Sequence, residues 1–464
     1  MYIFYDFETS SRELLGQILS YAFIVTDRDF NPVDECCGTI RLNRTQLPDI
    51  EAIVVNQLNL ENLQQTGIPE WEAAEQIFNF LNDQLNRTPI CNLVGFNSNQ
   101  FDLNFLRNLL IRYGLNPYFR GKLHNVDLLH FSQALAFEYP DRFPWHTVTK
   151  DDGNRYFGFT LEALATQFKL LDQAQTHDAR DDVLLCIELV KTLEKTFGTT
   201  LADFRPMKLP VNTFLQDNLE LGKQKVRDFP QNGQAPLPFV YRYWLKIIST
   251  SKTKILLDLD TFKTAQESGA LDDEAILKAL KYFNPNKAFL HLDPLDSSES
   301  KAWETTKDAA LDQPFLKGLT EAVYFEKIKK SWDIEYQIHD LGFERIDQLR
   351  PLILALLADP NSHNVTLRHL LEARKDPKDT ALIQLYNRAY LNIHPDPNPE
   401  YLQRYLVPRY VTGSLLKDPQ SFVSLAERLE RLMGYKEQTP KSSILEALET
   451  YYLAFIGEFG LSIS

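Results

Sequence analysis

The stretch YIFYDFE at residues 2–8 packs aromatic and aliphatic side chains into one short run and carries two acids, Asp6 and Glu8. Such density of aromatic and β-branched residues predicts a strand. Alternate residues of a strand face the same way, so Asp6 and Glu8 project together from one face. Two like charges side by side repel unless a cation bridges them. Hard divalent ions such as Mg²⁺ and Mn²⁺ prefer carboxylate oxygens. A solvated strand end also carries such pairs, so the meaning of this one depends on the rest of the chain.

Outward from that strand, residues 19–26 and 36–41 predict two more. Residues 70–86 have helical spacing, with Trp71, Ala74, Ile77, Phe78 and Leu81 on one side. A short apolar strand is expected at 90–96, a helix at 99–113, a strand at 124–129 and a helix at 160–169. A long helix should run from Asp178 to Phe197 and stop at Gly198. Three strands followed by alternating helices and strands indicate an α/β domain with a mixed sheet. Gly198, Pro206 and Pro210 mark its end. The middle third offers strands at 239–248, 254–259 and 287–292, a small β-rich domain with helical inserts. From about residue 334 the patterning is helical. The expected domains are therefore 1–198, 203–333 and 334–464.

Composition narrows the function. The 464 residues are 44% hydrophobic and 24% charged, which excludes wholesale disorder. No apolar run reaches the ~18 residues of a membrane span, and the N-terminus has no signal-peptide pattern, so a soluble cytoplasmic protein is expected. The cysteines Cys36, Cys37, Cys91 and Cys186 form no CxxC pair, which argues against a zinc knot or a disulfide scaffold. A net charge of −14 runs against a nucleic-acid partner, but it is unevenly spread. Residues 1–197 hold 16 basic and 27 acidic residues, whereas 205–254 hold nine basic and three acidic. In that basic segment Arg205, Lys208, Lys223, Lys225, Arg227, Arg242 and Lys246 interleave with Phe204, Phe214, Phe229, Tyr241, Tyr243 and Trp244. A positive groove with stacking rings is how single strands are held; a β-domain core with a charged rim would read the same way.

Two further motifs carry acids. In Gly95-Phe96-Asn97-Ser98-Asn99-Gln100-Phe101-Asp102 an apolar strand enters a polar turn and then a helix, with Asp102 in its first turn. In Thr176-His177-Asp178-Ala179-Arg180-Asp181-Asp182-Val183, His177 precedes a helix and Asp182 lies in its second turn. Each has a plain structural reading, since acids favour helix N-termini. Their order along the chain is far more specific. An acid pair on the first strand, an acid after a Gly-Phe-Asn turn, and H-x₄-D at a final helix resemble the DEDDh exonuclease superfamily, whose fold is similar to ribonuclease H. DFET, GFNSNQFDLNFLRNLL, VDLL, FTLEAL and THDARDDV resemble segments of bacterial exonuclease I, and YQIHDLGF, DTALIQLYNRAYL and PEYLQRYLVPRYVT resemble its helical domain.

The resemblance implies a 3′→5′ exodeoxyribonuclease that hydrolyses single-stranded DNA to 5′-mononucleotides. Its fold would be a ribonuclease H-like α/β domain, a small SH3-like β-rich domain and an α-helical C-terminal domain. Asp6, Glu8, Asp102 and Asp182 would hold two Mg²⁺ ions, with Mn²⁺ as a substitute. Asp6 would bridge both ions, Asp182 would hold the one nearer the nucleophile, and His177 would be the general base. Thr9, Arg107 and Tyr118 would contact DNA together with Glu8. The resemblance also implies a monomer, a role in DNA repair, and docking of single-stranded-DNA-binding protein. Two departures stand out. Thr160, in Phe159-Thr160-Leu161-Glu162, replaces a substrate-binding Arg, and Thr9-Ser10-Ser11 replaces Thr-Phe-Gly after Glu8. They keep RNA or 3′ overhangs open as substrates. A non-catalytic binding module is the third alternative.

Overall fold

The computed structural model describes residues 1–145, 147–149, 155–171, 178–204, 220–226, 240–250, 253–283, 292–329, 331–336, 338–417, 422–439 and 441–461. Two compact units form. One comprises Met1–Leu128, Gln173–Glu188 and Lys330–Ser464, the other Leu129–Asp172 and Leu189–Lys329.

The first unit is built on a five-stranded sheet. Its strands are β1 (Tyr2–Thr9), β2 (Ile18–Thr26), β3 (Pro32–Thr39), β4 (Cys91–Gly95) and β5 (Leu123–Asp127). Their order is β3-β2-β1-β4-β5. The β1–β2 and β2–β3 pairs are antiparallel, and β1–β4 and β4–β5 are parallel. The mixed sheet read from the sequence is therefore present. The third strand starts at Pro32 rather than residue 36. It is the edge strand, and its Asp34 and Glu35 are the sort of charged residues that discourage further pairing.

Strand β1 is central, with both faces covered, which explains its near-continuous apolar run. Ile3, Tyr5 and Phe7 join one core with Ile77, Leu81, Phe105 and Leu109. Tyr5, Phe7 and Phe23 form a ring cluster with centroids 5.5–5.8 Å apart. The helices on this unit include α1 (Ile50–Asn56), α2 (Leu60–Thr66), α3 (Glu70–Arg87) and α4 (Asp102–Arg112). The same core takes in Leu349, Leu385, Tyr386, Leu448 and Tyr452 from the helices Phe343–Ala358, Pro377–Ile393 and Ser443–Phe459.

In the second unit, α5 (Leu128–Glu138), the hairpin β6 (Thr147–Thr149) and β7 (Arg155–Phe157), and α6 (Leu161–Gln167) precede most of the C-terminal half of α7 (Ala179–Phe197). A second five-stranded sheet follows, from β8 (Leu221–Val226), β9 (Val240–Ser249), β10 (Lys254–Asp258), β11 (Leu280–Phe283) and β12 (Leu292–Pro294), in the order β11-β10-β9-β8-β12. The strands expected at 239–248 and 254–259 are thus found, while 287–291 lie outside the described residues. Leu245, Ile255, Leu257, Phe262 and Ile276 form the core of this sheet.

Gly95 closes β4 where the chain turns sharply. A Cβ there would lie 2.7 Å from Ser98 Cβ and 3.0 Å from Tyr5 Cε1. Gly457, exposed in the last helix, has nothing within 4 Å of such a Cβ. Gly95→Ala should therefore destabilise by ~1–3 kcal/mol, and Gly457→Ala should stabilise by ~0.5–1 kcal/mol. Thermal unfolding of the two variants should show opposite shifts in midpoint; equal shifts would contradict the packing at the β4 turn.

Candidate active site

Asp6 and Glu8 leave the face of β1 opposite Tyr5 and Phe7, as the period of two requires. Helix α7 brings Asp182 to the same place. Oxygens of Asp6, Glu8 and Asp182 lie within 4.8 Å of one another. Asp182 sits in the first turn of α7, which opens at Ala179, rather than in the second. Asp178 caps that turn, accepting the amides of Arg180 and Asp181 at 3.0 and 3.2 Å.

Asp102 enters from α4. It is 2% exposed, and the backbone amide of Phe7, the residue between Asp6 and Glu8, is near enough to lower its pKa. Asp102 is outside the trio that meets within 4.8 Å. Its Oδ1 is buried with no hydrogen-bond partner among the described residues. An orphaned carboxylate oxygen beside three converging acids fits a cation far better than it fits a neutral core.

The electrostatics agree. Burial first, then Asp102, Asp182 and Asp178, push the Asp6 carboxyl well above the usual carboxylate range. Burial, with Asp6, Asp182 and Asp178 adding to it, pushes Glu8 up to about 9. Burial raises Asp102 to about 8; Asp127 and Glu8 push the same way, while its own amide and that of Phe7 pull it down. Without a cation this cluster holds protons, and a divalent ion would displace them.

Sequence reading missed the support around these acids. Asp127 ends β5, is 1% exposed, and accepts the Asn99 amide at 3.0 Å, which fixes the turn leading into α4. Asn125 accepts the Tyr5 hydroxyl at 2.8 Å and donates to Ser98 and Asn99. Cys186, one turn beyond Asp182, is buried; burial, then the charges of Asp6 and Asp182, hold its thiol well above the usual range. The only sequence signal for this shell is position, at a strand end or one helical turn from a recognised acid.

The expected substrate contacts are placed as follows. Thr9 is buried at a bulge after Glu8; its hydroxyl donates to Ser11 O at 2.8 Å and its carbonyl accepts from Asn56. Arg107 lies over the Tyr118 ring at 5.3 Å, and Tyr118 meets Phe343 edge-on at 4.9 Å. Thr160 caps α6, its hydroxyl accepting the Ala163 amide at 3.1 Å. His177 lies outside the described residues. So do Arg205, Lys208, Phe214, Arg227 and Phe229 of the basic segment, and the side chain of Lys225.

Elsewhere in that segment the expectation needs correcting. Trp244 is 3% exposed and donates to Gln224 within the sheet, so it is core. Lys223 is paired with Glu299 at 2.7 Å, so its charge is already engaged. Tyr241 and Arg242 are exposed.

Acids from β1, α4 and α7 thus converge on a mixed α/β sheet in the manner of a divalent-cation site. Among known proteins, no family model matches the chain. Exodeoxyribonuclease I of Buchnera aphidicola subsp. Schizaphis graminum is 27% identical over 201 residues, 42% of this chain and 39% of that protein. Exodeoxyribonuclease I of Escherichia coli K12 is 27% identical over 208 residues, 44% of this chain and 42% of that protein. The chain therefore spans about two fifths of the length of the curated relatives it matches. In three dimensions the likeness is longer. E. coli exonuclease I in complex with a dA16 oligonucleotide superposes with a TM-score of 0.66 at 18% identity, over 98% of this chain and 99% of the other. The zinc-bound form of the E. coli exonuclease I complex with single-stranded DNA gives 0.65 at 16%, with the same coverage. The chain has the exonuclease I fold. The resemblance read from its motifs is borne out.

The raised acids fix a pH dependence. At Glu8 and Asp102 the cation-free fold holds protons that the unfolded chain loses above the ordinary carboxylate range near pH ~4, up to about 9 at Glu8. The contribution of these acids to stability falls as pH rises through that window. In EDTA the thermal midpoint should drop over this range, and Asp102→Asn should flatten the drop and melt above the parent near its alkaline end. A parent profile that is flat or rising, unchanged by Asp102→Asn, would contradict the assignment of these acids.

Proposed function

We propose that this protein is a divalent-metal-dependent 3′→5′ exonuclease that degrades single-stranded DNA to 5′-mononucleotides. The observation that carries the reading is the meeting of Asp6, Glu8 and Asp182, with Asp102 beside them, its buried Oδ1 unpartnered among the described residues. The exonuclease I fold supports it, as do exonuclease I neighbours solved with bound oligonucleotides. The finer architecture belongs to the same proposal: a ribonuclease H-like domain at 1–198, an SH3-like domain at 203–333 and a helical domain at 334–464.

Asp6, Glu8, Asp102 and Asp182 would hold two Mg²⁺ ions, with Mn²⁺ able to replace them. Bound there, the ions supply the Lewis acidity that polarises the scissile phosphate and stabilises the leaving 3′ oxygen. The chain supplies the rest. The four carboxylates fix where positive charge sits relative to the DNA end. Asp6 is half-buried, which leaves the cluster open to substrate, whereas Glu8, Asp102 and Asp182 are buried and hold one geometry. His177 takes the proton of the attacking water, the task for which an imidazole is the side chain most often used. Arg107, stiffened by Tyr118, contacts the DNA backbone, and the Thr9 main chain packs against the terminal nucleotide. We place the protein in the cytoplasm as a monomer acting in DNA repair, with single-stranded-DNA-binding protein as a partner.

A second reading keeps the chemistry and changes the substrate to RNA or to 3′ overhangs. Thr160 favours it: its hydroxyl is spent on capping α6 and cannot do the work of a guanidinium.

A 3′-labelled single-stranded oligonucleotide with Mg²⁺ should be shortened to mononucleotides. EDTA should stop the reaction, and Asp102→Ala should slow it by at least ~100-fold. Equal rates for parent and variant would overturn the reading. A panel of DNA, RNA and overhang substrates at one salt concentration separates the two substrate readings, because phosphate contacts make affinity salt-dependent.

A further inference from the structure

We propose that Arg112 is a positioning residue that sets where α4 delivers Asp102 and where the β1–β2 loop holds Thr9. The inference rests on the proposed metal-dependent nuclease reading and extends it to a residue that touches none of the acids.

Arg112 is the last residue of α4, at the opposite end from Asp102. Its guanidinium is buried and all three nitrogens are engaged. Nε and Nη2 grip the Glu335 carboxylate at 2.7 and 2.9 Å. Nη1 donates to Glu70 Oε1 at 2.6 Å. Nη2 also donates to the carbonyls of Gly16 at 2.8 Å and Leu14 at 3.3 Å. Those carbonyls belong to the loop that follows Thr9. One turn earlier on α4, Asn108 repeats the pattern, with Nδ2 3.3 Å from both Leu14 O and Glu335 O.

The partners are themselves pinned. Glu70 opens α3 and also accepts from Asn43 at 2.5 Å and the Tyr113 hydroxyl at 2.8 Å. Glu335 is held by Arg388 at 2.5 Å, and Asp333 by Arg388 at 3.3 Å and Arg409 at 2.6 Å. Arg112, Arg388 and Arg409 thus balance Glu70, Glu335 and Asp333 in a buried chain. Such a chain is weak evidence of stability, because desolvation offsets the attraction. Its directional bonds do what apolar packing cannot. A helix moves as a rod, so any slide of α4 permitted at Arg112 reappears at Asp102. The same fork holds Leu14 and Gly16, so it also sets the loop into which β1 runs at Thr9. A lysine would keep the charge and lose the fork.

The test compares Arg112→Lys with Arg409→Lys, which weakens the same chain at its far end without touching α4 or the loop. Mn²⁺ affinity is titrated by calorimetry without substrate, and kcat and KM are measured on a single-stranded oligonucleotide. Arg112→Lys should weaken Mn²⁺ binding by about tenfold or more and lower kcat with it. Arg409→Lys should keep parental values even if it melts earlier. If Arg112→Lys does not fold, Asn108→Ala takes its place and should weaken Mn²⁺ binding in the same direction. Parental Mn²⁺ affinity in the folded variant used, or an equal loss in Arg409→Lys, overturns the proposal. A parent that binds Mn²⁺ but cleaves nothing would sink the nuclease reading, while the titration still decides this one.

Discussion

Like-charge repulsion among buried carboxylates is the constraint on which this structure is organised. Asp6, Glu8 and Asp182 are drawn within 4.8 Å of one another and Asp102 is set against the same strand. Left alone, such groups separate, or they take up protons. Here they cannot separate, so without a cation they hold protons. Asp6 and Glu8 are locked to one face of a central strand, whose other face is committed to Tyr5, Phe7 and their ring cluster. Asp182 is fixed by the first turn of α7 and Asp102 by the first turn of α4. The fold spends its rigidity on holding an arrangement that is unfavourable until positive charge arrives.

Much of that was legible in the residues. The period of two in β1 places Asp6 beside Glu8 without any knowledge of the fold. The Gly-Phe-Asn turn marks the start of α4, and the packing shows why. At Gly95 a side chain would collide with Ser98 and Tyr5. What could not be read were groups whose meaning lies in space alone. Asn125 sits in no recognised motif, and Asp127 and Asp178, though inside VDLL and THDARDDV, carry no sign there of what they hold. Arg112 meets Glu70 and Glu335 at separations of 42 and 223 positions, and no local pattern encodes that.

The middle of the chain teaches the reverse lesson. Interleaved basic and aromatic residues on a strand look like a nucleic-acid groove, but β9 is an interior strand of its sheet. One of its rings, Trp244, is needed inside, and the neighbouring Lys223 finds Glu299. Composition reports which side chains are present; it does not report which are already occupied. Thr160 makes the same point on a smaller scale, since its hydroxyl answers the unsatisfied amides of a helix start.

The unit that carries the acids is stitched from both ends of the chain. Tyr452 donates to Pro48 O at 2.5 Å, Tyr410 to Thr45 O at 3.2 Å, and Arg428 pairs with Asp49. A ribosome delivers residues in order, so the strand bearing Asp6 and Glu8 is made well before these C-terminal partners. Loop closure over such separations is slow relative to local structure. The nascent molecule can therefore complete the packing around Thr45–Asp49 only after Tyr452 has been made.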